Sequence, residues 1–154
     1  MQHYENTIEI QNYLPHRAPM LLVDFILELS ELEVKTIFEI KEDTLFVENN
    51  VFAEIGLIEN AAQTCSAIVG KSYYIDENDG KKDNVNVIGF ISGIKKLKVY
   101  QLPKVGEAIQ TSATLDSRFD FEDYSVCTML CTTFHDSTML FEAEINLFIR
   151  EGNR

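Results

Sequence analysis

The chain has no tryptophan, only three prolines and seven glycines in 154 residues, and three cysteines. Each shortage excludes something. Nowhere do about 18 apolar residues follow one another, so no segment is expected to span a membrane as a helix. So little Pro and Gly leaves no low-complexity or collagen-like tract. Cys65, Cys127 and Cys131 are an odd number without metal-ligand spacing, which points to reduced core thiols in a reducing, cytoplasmic compartment. Cys127 and Cys131 stand about 13 Å apart along an extended chain, too far for a disulfide. Basic residues are scarce as well: 13 Lys and Arg face 25 Asp and Glu, a formal net charge of −12. Such a chain lacks the cations that nucleic-acid phosphates or an anionic membrane surface demand. Met1–Asn6 shows no basic stretch followed by an apolar one, so no leader peptide is expected.

What is present is a 45% hydrophobic content in a chain long enough for one domain with a real core, residues 1–154. The organising stretch is Ile55–Gly70. Ile58, Ala61, Ala62, Cys65, Ile68 and Val69 recur at spacings of three and four and predict a helix that runs on toward Tyr74. Glu59, Gln63, Ser66 and Gly70 form a separate stripe. Small residues along the helix (Ala61, Ala62, Ser66, Ala67, Gly70) allow other backbone to come close.

Ahead of it, Thr7 is placed to cap a short helix through Tyr13, and Met20–Leu29 and Glu33–Ile40 read as a strand hairpin. Behind it, Asp76–Asn84 is a charged loop around Gly80. Val85–Tyr100 is a β segment interrupted by Gly89 and Gly93, where a bulge or a close backbone approach is expected. Ala108–Phe119, Tyr124–Phe134 and Thr138–Ile149 complete the strands. One long helix among consecutive antiparallel strands predicts an α+β domain, a curved antiparallel sheet of about six strands wrapped around the helix.

Three motifs carry a resemblance. Leu14–Asp24 reads Leu-Pro-His-Arg-Ala-Pro-Met-Leu-Leu-Val-Asp, Leu57–Gln63 reads Leu-Ile-Glu-Asn-Ala-Ala-Gln, and Gly93–Lys96 is followed by Pro103–Glu107. Together they resemble the FabA/FabZ-like 3-hydroxyacyl-acyl-carrier-protein dehydratases of the hot-dog fold, most of all the divergent branch found with aryl-polyene gene clusters. The resemblance implies acyl-thioester chemistry without a cofactor or metal, on substrates carried by acyl carrier protein or coenzyme A. It implies pairing with a second subunit, as a homodimer or as a heterodimer with a related dehydratase. Glu59 then falls on the family's catalytic acid, and Gly56, Phe52, Gln63, His16 and Arg17 fall around the substrate. Lys95, Lys96 and Lys98, with Lys104, are the basic residues for an anionic carrier. On a regular strand Lys96 and Lys98 would share one face and Lys95 the other.

The match breaks at Phe46–Gly56, where the family carries a catalytic histidine in a His-Phe-Pro-Gly loop and a Pro-Gly at the helix start. This stretch contains neither His nor Pro. Three functions therefore stay open: a dehydratase-like protein that acts on or merely binds the thioester, a thioester hydrolase using Glu59 alone, and a non-catalytic partner of an active dehydratase. Of the histidines, His16 is expected to be satisfied by local hydrogen bonds, and His3 and His135 lie in a terminal segment and a turn.

Overall fold

The computed structural model describes residues 7–83 and 85–152, so His3 lies outside the described residues. The order is β1 (Ile8–Glu9), a three-residue 3-10 turn (Ile10–Asn12), β2 (Phe25–Leu29), β3 (Glu33–Glu39), β4 (Val47–Glu48), β5 (Val51–Phe52), α1 (Glu54–Tyr74), β6 (Val87–Val99), β7 (Ala108–Asp120), β8 (Tyr124–His135) and β9 (Thr138–Glu151). Seven strands make one antiparallel sheet in the order β1-β2-β3-β7-β8-β9-β6, and β4 and β5 form a separate hairpin. The helix packs against β3, β7, β8, β9 and β6. It is longer by one residue at the front than Ile55, and it ends at Tyr74 as expected. No helix among the described residues is long and apolar enough to cross a membrane.

The core forms where period two meets period 3.6. Cys127, Met129 and Cys131 of β8 and Phe141, Ile145, Leu147 and Ile149 of β9 face inward. They meet Leu57, Ala61, Cys65 and Ile68 of the helix in a single cluster. Burial extends around most of the helix, including polar residues that periodicity did not assign to a face. Asn60 and Thr64 are 1% and 0% exposed. Thr64 bonds Thr36 at 2.7 Å, and Asn60 accepts from Thr111 at 2.6 Å. Buried polar atoms need such partners, and these bonds pin the helix to β3 and β7.

Three expectations need correction. Thr7–Tyr13 is not a helix. Ile8 and Glu9 pair with Ile26 and Phe25 as an edge strand, which adds the seventh strand to the sheet, and only the 3-10 turn follows. Met20–Asp24 is not strand. The backbone groups of Met20 and Leu22 bond to the side chains of Gln63 and Asn60 instead of to another strand. Finally, the lysines of β6 do not alternate. The register slips between Lys95 and Lys98, and Lys96 adopts a φ of 53°. The slip between Ile91 and Gly93 is the bulge that Gly93 foretold.

Candidate active site

The site starts from Gln63, one turn beyond Glu59 on the same helix face. Its side chain is 1% exposed and fully committed. Oε1 accepts from the Leu22 N–H at 2.8 Å, and Nε2 donates to the Met20 carbonyl at 2.8 Å and to Glu59 Oε1 at 2.9 Å. Asn60 donates to the Leu22 carbonyl at 2.7 Å. The irregular Met20–Leu22 segment is thus clamped onto the second and third turns of the helix, and the motif just before it is drawn in with it.

That motif brings His16 to Glu59. Nε2 of His16 lies 3.9 Å from Glu59 Oε1, with the two side chains 31% and 23% exposed. Nδ1 of His16 is buried and has no hydrogen-bond partner among the described residues. The expectation of a locally satisfied histidine is therefore overturned. A gap of 3.9 Å is too long for a direct hydrogen bond, and an oxygen set off the line between the two groups reaches both.

His16 also walls a groove of about 240 Å³. Its lining includes Ser66, Gly70 and Tyr74 of the helix, Tyr13 and Leu14 just after the 3-10 turn, and Val87 of β6. The Glu59–Gln63–Ser66–Gly70 stripe therefore faces first the acid–imidazole pair and then the groove. Burial raises the pKa of both Tyr13 and Tyr74, with the charge of Asp79 adding to the effect at Tyr13, so the phenols along this wall stay neutral. At Gly70 any Cβ would collide with the Tyr13 carbonyl, which is why the turn can cross the helix there.

Other predicted residues stand elsewhere. Phe52 is fully buried, stacks at a tilt on Phe38 with ring centroids 6.0 Å apart, and occupies the space a Gly56 side chain would need. The pair wedges the helix entry and lies in the core. Arg17 is exposed and folds back onto the carbonyls of Leu14 and His16 at 2.9 and 2.7 Å, which braces the loop that presents His16. Lys95 and Lys98 stand across from Glu144 and Glu142, and Lys96 Nζ is 3.6 Å from Glu144, so carboxylates offset this basic cluster. Lys104 pairs with Val51 beside the helix entry. His135 lies among Glu107 and Asp136, and its Nδ1 meets the Ala108 carbonyl at 2.8 Å.

Where the resemblance puts a histidine loop, the chain makes the tight β4–β5 hairpin. Asn49 and Asn50 turn it with φ of 52° and 66°, the conformation Asn tolerates in a two-residue hairpin turn. The helix that follows has no side-chain cap on Ala53, so its first turn offers backbone dipole to a developing negative charge.

Sequence reasoning did not bring His16 to Glu59, because the 42 residues between them hide the contact. The available signal was chemical: Asn60, Gln63 and Thr64 on a helix apolar almost all round must find polar partners inside the fold.

Comparison with known proteins gives the site its family. A family model described as ApeP-like, ApeP dehydratase, matches residues 8–153. A 3-hydroxyacyl-acyl-carrier-protein dehydratase FabZ of Streptococcus pneumoniae is 31% identical over 118 residues, 71% of this chain and 76% of the relative. A FabZ of Chlamydia muridarum is 29% identical over 149 residues, 92% and 90% of the two chains. Among solved structures, the dehydratase heterocomplex ApeI:P from Xenorhabdus doucetiae superposes with a TM-score of 0.74 at 16% identity, covering 96% of this chain and 93% of that one. A hypothetical thioesterase with coenzyme A from Streptococcus pneumoniae gives 0.54 at 12% identity, over 84% and 87%. These likenesses establish the hot-dog fold, and with the family match spanning nearly the whole sequence, the chain belongs to the ApeP-like dehydratases.

Proposed function

We propose that this chain dehydrates 3-hydroxyacyl thioesters, borne by acyl carrier protein or coenzyme A, with His16 and Glu59 as its acid–base pair. The carrying observation is the 3.9 Å approach of His16 Nε2 to Glu59 Oε1 at the head of a groove with room for an acyl chain. The imidazole takes the proton from C2, and the carboxyl gives a proton to the 3-hydroxyl. The C3–O bond breaks, a C2–C3 double bond forms, and water leaves. The uncapped first turn of the helix favours the charge that builds on the thioester oxygen. General acid–base catalysis of this kind contributes roughly 10²–10⁴-fold.

A second arrangement has its own support. The open edge strand β6 leaves Ile88, Ile94 and Leu97 exposed at 40%, 38% and 38%, an apolar edge that calls for a second sheet. The Xenorhabdus structure is a heterocomplex of dehydratases. On this reading a related subunit pairs along β6 and supplies the missing loop histidine to Glu59. The groove would then lie at the seam between subunits.

Purified chain incubated with a 3-hydroxyacyl thioester distinguishes these. Enoyl product formed by the chain alone, and lost in His16→Ala and Glu59→Gln, supports the first arrangement. Product formed only after a related dehydratase is added, and lost in Glu59→Gln but not in His16→Ala, supports the second. Free thiol without enoyl product would make the chain a hydrolase and overturn both.

A further inference from the structure

The outer face of the sheet, away from the helix, carries a feature the acid–imidazole site does not use. Cross-strand register places Phe119 of β7 opposite Val126 of β8, Val126 opposite Phe148 of β9, and Phe148 opposite Phe90 of β6. Directly opposed residues share a face, so these four form one row across four strands. A half-row of Phe121 and Tyr124 adjoins it. The rings stack as a ladder. Phe121 and Tyr124 have centroids 4.6 Å apart at 20°, Tyr124 and Phe148 are 4.9 Å apart at 22°, and Phe148 and Phe90 are 5.0 Å apart at 25°. Phe119, Phe121 and Phe90 are 63%, 54% and 52% exposed. Folding does not require rings in water, and a contiguous patch of this kind marks a contact surface.

The charge around the ladder says what can cover it. Asp120 ends β7, the β7–β8 turn contributes Glu122 and Asp123, and Glu151 ends β9 at the same margin. Arg118 engages Asp120 at 2.7 Å, and Arg150, opposite Tyr124, is the one cation among the described residues that register places within the patch. Glu122, Asp123 and Glu151 thus outnumber Arg150 at the rim. A second copy of a chain with net charge −12 would bring like charges together. An acidic carrier would meet the same repulsion. Guanidinium groups satisfy both halves of the surface, because they stack flat on aromatic faces and pair with carboxylates.

We propose that this aromatic ladder, with its acidic rim, is a docking face for a protein that presents arginines around an apolar anchor. The face lies apart from Glu59 and His16, so it is an assembly or tethering surface and not a part of the reaction site.

The absence of tryptophan makes the test direct, since a tryptophan in a probe is then the only indole present. The probe is a synthetic Arg-Trp repeat peptide, titrated into the full chain while its emission is followed. Phe90→Ser with Phe121→Ser removes two rings and keeps every charge, and both residues are exposed enough to be replaced without opening the core. If that variant fails to fold, judged by circular dichroism, Phe119→Ser takes its place. We expect a blue-shifted emission with the parent chain, and at least about tenfold weaker binding to the ring-deleted variant. Equal binding to parent and variant would mean attraction to net charge alone and overturn the proposal. So would equal binding of a Glu-Trp repeat peptide. Sedimentation showing self-association of the parent that the variant loses would assign the face to a second copy, and also overturn it.

Discussion

Nε2 of Gln63 donates to Glu59 Oε1 at 2.9 Å and to the Met20 carbonyl at 2.8 Å. One amide group therefore holds the acid and also holds the segment that follows His16. Gln63→Leu removes both bonds and leaves the buried Leu22 N–H without its acceptor. The expected cost is roughly 2–4 kcal/mol, read as a lower urea midpoint at unchanged slope. Turnover of the 3-hydroxyacyl thioester should fall with it, because Glu59 loses its tether.

Glu59→Gln is the complementary change. Glu59 is 23% exposed at its side chain, and an amide keeps its shape. Thermal midpoint should move by no more than about 2 °C, while kcat falls about 100-fold or more. A large loss of stability with intact turnover would remove Glu59 from the chemistry.

Gly56→Ala places a methyl group inside the ring of Phe52. The expected loss is about 1–3 kcal/mol from overpacking. Phe52→Leu in the same chain should recover part of it, and the double-mutant cycle measures how much. Additive losses would show that the two residues do not share one space.

The thiol of Cys65 is fully buried and 3.1 Å from that of Cys131. Burial first, then the bond to Cys131, raises its pKa well above the ordinary thiol range. The folded state thus keeps a proton that the unfolded chain releases. The sign follows from linkage: this contribution is complete below the unfolded value, about 8.5, and is lost progressively as the pH rises above it. Urea midpoints measured across the alkaline range should fall, and Cys65→Ala should flatten that dependence. Native protein should also resist thiol alkylation until denaturant is added.

Lys98→Glu tests the expectation, taken from the resemblance, that the β6 lysines meet the anionic carrier even though Glu142 and Glu144 stand across from them. KM for a substrate on acyl carrier protein should rise several-fold, with kcat unchanged and with no effect on a short thioester lacking the carrier. Equal KM values for the carrier-borne substrate would move the contact elsewhere, with Lys104 the next residue to reverse.

Much of the architecture was legible because long elements repeat their signal. The helix from Ile55, the strands after it and the bulge at Gly93 all came from periodicity and one glycine. Short elements carry too few repeats. The helix expected over Thr7–Tyr13 rested on one capping residue, and the strand pairing found there with β2 depends on residues further along the chain. The apolar run at Met20–Asp24 looks like strand, but side chains some 40 residues away take its backbone bonds. The lysine alternation failed for a local reason that no spacing rule encodes, a register slip at Lys96. In the candidate site, the acid and its stripe were visible, while the imidazole facing them was not. Motifs order residues along a chain, and the pairing of His16 with Glu59 is a property of the clamp at Gln63.

The crossing at Gly70 has a remote consequence. Eleven residues of helix, about 16 Å, separate it from Glu59. The turn that rests on it leads straight into Leu14 and His16. A methyl group there would act as a shim under one arm of a caliper, and widen the jaws at the opposite end of the helix.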